Sequence, residues 1–129
     1  MRRFSVNPDP PMLCDNLYTL LSLETTQQGC LAQIRLLPES PIYAAHFKGM
    51  PVTPGACLVE MATELASRGT GRPLDVAEAP DIRFLHPILP GETTELTVQL
   101  EGDPATDLWS VQFSAGETLC ARMKLVLKP

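Results

Sequence analysis

Thr53-Pro54-Gly55-Ala56-Cys57-Leu58-Val59-Glu60-Met61-Ala62-Thr63-Glu64-Leu65-Ala66-Ser67-Arg68 decides the architecture, because its helical grammar is the clearest in the chain. Thr53 is suited to cap a helix, and Pro54 suits the first helical position, where its missing N–H costs nothing. Gly69 and Gly71 supply the stop. Leu58, Met61, Ala62 and Leu65 recur at helical spacing and make an apolar stripe. Glu60, Thr63, Glu64 and Ser67 fall on the other side, and periodicity alone assigns them to solvent. The spacing predicts one long helix from Pro54 to about Arg68.

On either side of this helix the period changes from helical to two. Leu17 to Glu24 and Cys30 to Leu37 read as a strand pair joined by a turn at Gln27-Gln28-Gly29. Pro38 to Lys48 reads as irregular, punctuated by Pro38, Pro41 and Gly49. After the helix, Ala79 to Leu85 reads as a strand, and Leu89-Pro90-Gly91-Glu92 as a type II turn. Leu96, Val98 and Leu100 then alternate with polar residues, as do Trp109, Val111 and Phe113. Leu119, Ala121, Met123, Leu125 and Leu127 continue that pattern, so each run predicts a strand with one buried face. Two strands, one helix and about four strands make an α+β chain with the helix on one sheet face. Residues 1–12, rich in proline and polar groups, read as an extended arm to a single domain spanning 1–129.

Composition narrows the function classes. The 129 residues carry a formal net charge of -5, and no basic run exceeds Arg2-Arg3, which argues against nucleic acid as the main partner. No window approaches a membrane span, and Asn7 to Pro11 interrupt any signal-like apolar stretch, so a cytoplasmic location is expected. Cys14, Cys30, Cys57 and Cys120 form no metal-binding spacing and are read as reduced thiols.

The chemistry concentrates in the segment that leads into the helix, His46-Phe47-Lys48-Gly49-Met50-Pro51-Val52-Thr53-Pro54-Gly55. A histidine here is the side chain suited to proton transfer near neutrality. Gly55 lies in the first helical turn, where N–H groups have no internal partner and, with the helix dipole, can hold a developing oxyanion. Glu60 follows more than a turn later.

This segment resembles the β-hydroxyacyl–acyl carrier protein dehydratases of the FabZ and FabA types, whose signature H-F-x-G-x-P-V-x-P-G is present at every fixed position from His46 to Gly55. Glu60 stands where the FabZ type carries its catalytic Glu. Ile82-Arg83-Phe84-Leu85-His86-Pro87-Ile88-Leu89-Pro90-Gly91-Glu92 is similar to a second family segment. The resemblance implies a hotdog fold, with an antiparallel sheet curled around the helix. It also implies a homodimer with two interfacial active sites, His of one chain facing the carboxylate of the other. The implied reaction is reversible loss of water from a 3-hydroxyacyl thioester, carried on acyl carrier protein, to a trans-2-enoyl thioester.

In that scheme His46 takes the α-proton, the Gly55 N–H holds the thioester oxygen, and Glu60 assists departure of the β-hydroxyl. Phe47, Gly49, Pro51, Val52, Pro54 and Ala56 would shape the substrate site, and no metal or organic cofactor is required. Lys48, Arg68, Arg72 and Arg83 are candidates for docking an acidic carrier. Three residues depart from the family pattern: Lys48 for the usual Pro, Glu64 for Gln, and His86 for a frequent Arg. They mark a divergent member, consistent with a specialised lipid, polyene or polyketide pathway. A thioesterase on the same fold and a non-catalytic acyl-binding subunit are the competing readings.

Overall fold

The computed structural model describes residues 13–46 and 53–129. Phe47, Lys48, Gly49, Pro51 and Val52 lie outside the described residues, as does the arm 1–12, and for Ala44, Ala45 and His46 the backbone alone is described. The element order is β1 (Tyr18–Thr25), β2 (Gly29–Leu36), α1 (Pro41–His46), α2 (Gly55–Thr70), β3 (Asp75–Phe84), β4 (Glu95–Asp103), β5 (Leu108–Ala115) and β6 (Thr118–Lys128).

All six strands join one antiparallel sheet in the order β1-β2-β4-β5-β6-β3. Because strand side chains alternate between faces, one face of the sheet collects Cys30, Ala32, Ile34, Leu36, Leu96, Val98, Leu100, Val111, Phe113, Met123, Leu125 and Leu127, all buried. Helix α2 packs its Leu58, Met61, Ala62, Leu65 and Ala66 into the same cluster. The antiparallel sheet around one long helix is the hotdog fold.

Three local readings change. Part of the segment read as irregular is helix α1. Thr53 is not the cap of α2: Pro54 holds that position in extended geometry, without a side-chain cap. The Thr53 hydroxyl instead meets the Tyr43 hydroxyl at 2.9 Å, both buried, which ties α1 to the start of α2. The largest change concerns the polar stripe of α2. Thr63, Glu64 and Ser67 are buried, while Glu60 is exposed. Thr63 and Ser67 satisfy their hydroxyls on the carbonyls of Val59 and Thr63, and Ser67 also accepts the Leu74 N–H at 3.0 Å. The helix ends at Gly71, in the left-handed region at φ 75°, whose N–H returns to the Ser67 carbonyl. No helix among the described residues is long and apolar enough to cross a membrane.

Candidate active site at the start of the central helix

Helix α2 begins without a side-chain cap, so the N–H groups of its opening turn have no side-chain acceptor at Pro54. Cys57 and Leu58 turn back onto the Pro54 carbonyl; Gly55 and Ala56 precede these first bonds. The position is fixed from outside the helix, because the Thr53 N–H donates to the Ile88 carbonyl at 2.9 Å. That bond joins the helix entry to the loop after β3.

A pocket of about 370 Å³ opens at this junction, lined by Thr53, Pro54, Gly55, Leu58 and the run from Phe84 to Ile88. Phe84 is 58% exposed, yet its ring tip rests against Gly55: a Cβ built at that glycine would lie 2.5 Å from the ring. Glycine at this position leaves room for the aromatic ring beside the pocket. A larger cavity of about 510 Å³ lies at the far end of α2, around Gly69, Thr70, Arg72 and Trp109. It is remote from the motif, since a helix of 16 residues spans about 24 Å.

Pro54 and Gly55 line the pocket, and Ala56 is exposed in the first turn of α2. Glu60 is exposed on the same helix, beyond the pocket wall. His46 closes α1, which the Tyr43–Thr53 hydrogen bond fastens to the entry of α2. Among the docking candidates, Arg68 and Arg72 sit at the opposite end of α2, and Arg83 pairs with Asp81 at 3.4 Å, so no basic cluster forms at the pocket from the described residues.

Two features escaped the sequence. Phe84, Leu85 and His86 reach the pocket, a placement that the second family-like segment hinted at but that strand periodicity did not give. Glu64, read as solvated, is the buried carboxylate of the helix. It accepts the N–H of Leu13 at 2.6 Å, the N–H of Cys14 at 3.1 Å and the Tyr18 hydroxyl at 2.9 Å. Burial pushes its proton affinity up, the three donors oppose that shift, and the charge of Glu60 adds to it. Tyr18 is raised in turn, by its own burial and then by the neighbouring carboxylate. All four cysteines are free, and burial raises each thiol above its ordinary value. Among the described residues, no group of His, Cys, Asp and Glu could hold a metal ion.

The family model for ApeI dehydratase, of the ApeI-like type, matches residues 22–124. The chain belongs to the ApeI-like dehydratase family. It is a divergent FabZ-type member, as its relatives show. It is 32% identical over 68 residues to the 3-hydroxyacyl-[acyl-carrier-protein] dehydratase FabZ of Herpetosiphon aurantiacus, covering 47% of this chain and 48% of that protein. The chain spans about half the length of the curated relatives it matches. Among solved structures, the dehydratase heterocomplex ApeI:P from Xenorhabdus doucetiae contains a chain that superposes with a TM-score of 0.74 at 17% identity, over 86% of this chain and 97% of that one. The dehydratase domain from the CurK module of curacin polyketide synthase gives a TM-score of 0.54 at 23% identity, over 88% of this chain and 43% of that one. At these identities the structural likenesses establish the hotdog fold.

Proposed function

We propose that this ApeI-like chain is a 3-hydroxyacyl thioester dehydratase acting on substrates carried by acyl carrier protein. The observation that carries the reading is the uncapped start of a buried helix at Gly55, opening on a pocket, with a complete dehydratase signature leading into it. A developing enolate needs a donor that is already in place. A backbone N–H at a helix start provides one, and a single such donor is worth roughly 2.7–4 kcal/mol in comparable chemistry.

His46 would remove the α-proton as a neutral base, a role worth about 10²–10⁴-fold. The pair of electrons released onto the α-carbon is held on the thioester oxygen by the Gly55 N–H. It then returns to form the Cα–Cβ double bond as the β-hydroxyl leaves. Glu60 would give that hydroxyl its proton, so water departs and both residues are restored by proton exchange. Phe47, Gly49, Pro51, Val52, Pro54 and Ala56 would shape the site around the thioester.

Glu60 is exposed in the single chain, so an enclosed reaction requires a second chain to cover it. We assign this role to a second copy in a homodimer whose His46 faces the Glu60 of its partner. The edge strand β3 supports the assignment: Val76, Phe84 and Leu85 near its two ends are apolar residues left exposed by the described residues. A heterocomplex is the assembly named for the Xenorhabdus doucetiae relative, and pairing with a different hotdog chain is the second assembly reading.

The test is direct. Purified protein is given a 3-hydroxyacyl group on acyl carrier protein, and enoyl formation is followed by mass spectrometry. Water loss that disappears in His46→Ala and in Glu60→Gln supports the proposal. Mixing the two inactive variants should restore part of the activity, because each mixed dimer contains one intact site. Hydrolysis of the thioester would replace the proposal with a thioesterase. Binding without turnover would replace it with an acyl-binding subunit.

A further inference from the structure

The proposed dehydration leaves one buried carboxylate without a role. Glu64 is 6% exposed, and both of its oxygens are engaged: Leu13 N–H on Oε2, Cys14 N–H and Tyr18 hydroxyl on Oε1. All three donors belong to one short turn. Within it the Leu13 carbonyl accepts the N–H groups of Asn16 at 2.9 Å and Leu17 at 2.7 Å, and Asp15 adopts a left-handed φ of 70°. Leu17 and Tyr18, which carry the chain onward into β1, are fully buried. The turn is thus held by the core at one end and by Glu64 at the other.

The residue type matches the task. Two converging backbone N–H groups and a hydroxyl need acceptors on both oxygens, which a carboxylate offers. An amide offers one acceptor and turns its own N–H groups toward the remaining donors. Glu60 lies four residues earlier on the same helix, about 6 Å along the axis and on the same side. At this spacing the two side chains are neighbours on the helix.

We propose that Glu64 is a positioning residue: it pins the turn Leu13–Tyr18 to helix α2 beside Glu60, and the pinned turn fixes the helix face from which Glu60 reaches the leaving group. The anchoring half follows from the contacts; the second half rests on the reading of Glu60 as the acid of the dehydration.

The experiment pairs amide exchange with kinetics on the full-length protein. In Glu64→Ala, protection at Leu13 and Cys14 should fall by about tenfold to a hundredfold, since both lose their acceptor. In Glu64→Gln the Leu13 N–H should keep its acceptor while Cys14 loses protection, because one amide oxygen serves one side. Tyr18→Phe should leave both amides protected. Enoyl formation should follow the same order, with kcat falling from wild type through Tyr18→Phe and Glu64→Gln to Glu64→Ala. KM should stay unchanged, and protection of the β4 and β5 amides should be constant throughout.

Unchanged protection of Leu13 and Cys14 in Glu64→Ala would overturn the anchor. Lost protection with unchanged kcat would overturn the positioning role. A wild-type protein without dehydratase activity would remove the catalytic reading alone, because exchange still reports the anchor. If Glu64→Ala does not fold, Glu64→Gln and Tyr18→Phe still decide, through the unequal response of Cys14 and Leu13.

Discussion

Gly29 and Gly55 both sit where another part of the chain occupies the space of a Cβ, yet the occupants differ in kind. A Cβ at Gly29 would overlap the backbone carbonyl oxygen of Leu100, on the strand paired with it. A Cβ at Gly55 would lie 2.5 Å from the tip of Phe84, a side chain that is more than half exposed. The first neighbour belongs to a hydrogen-bonded ladder and cannot retreat without breaking it. The second can swing into solvent. The contrast separates two regions: the β2–β4 ladder, closed by backbone hydrogen bonds even where Gly29 borders the far cavity, and the α2–β3 junction, where the described residues leave a pocket beside a side chain.

The largest effect expected from this contrast is at the closed region. Gly29→Ala should destabilise the fold by about 1–3 kcal/mol, the usual cost of forcing atoms into a packed site. Chemical denaturation would read the change as a shift in midpoint with little change in slope. A loss below about 0.5 kcal/mol would mean that β2 and β4 slide apart easily, and the distinction between the two regions would fail.

The same division explains what was legible in the residues. Strands β2, β4, β5 and β6 announced themselves because each has one face buried by the chain itself, so Leu96-Val98-Leu100 and Trp109-Val111-Phe113 alternate with polar residues. Strand β3 begins at Asp75, four residues before the predicted start, because its exposed edge imposes no period. Helix α2 was legible in its extent and apolar stripe. Its polar stripe was not, because helical periodicity is blind to a turn from 40 or more residues away folding over Glu64. Helix α1 has only six residues, too few for a periodic signal. The candidate site shows in the sequence as a motif from His46 to Gly55, of which the described residues place Gly55 at the head of the helix. Phe84 and His86 join it only through tertiary approach, which no local spacing encodes.

A second, intermediate effect concerns the closed side of α2. Burial raises the pKa of Glu64 above its unfolded value, so the folded state binds this proton more tightly than the unfolded chain. The stability contributed by this group is therefore fully present below the unfolded carboxylate value, about 4.3. It is lost as pH rises through the raised folded value. Thermal melts between about pH 4 and 7 should show this as a falling component that Glu64→Gln removes, since the amide does not titrate. If the variant keeps the wild-type pH slope, the three hydrogen bonds to Glu64 offset the effect of its burial.

The smallest effect on stability, and the sharpest on function, is expected at the open region. Gly55→Ala adds one methyl where the Phe84 ring now rests, and the ring has solvent to move into, so the loss of stability should stay below about 1 kcal/mol. The helix itself tolerates alanine well, which offsets part of that cost. The backbone N–H at position 55 survives the substitution, but the pocket beside it narrows and Phe84 is displaced. Dehydration should therefore fall while the midpoint of unfolding barely moves. Adding Phe84→Ala should then restore part of the rate, because it removes the group that the new methyl strikes. Independent, additive losses in the double variant would break the argument, since residues in contact are expected to couple. A rescue would place the Gly55–Phe84 contact at the reacting centre and show that this glycine is kept for the space above it, with no role in holding the fold.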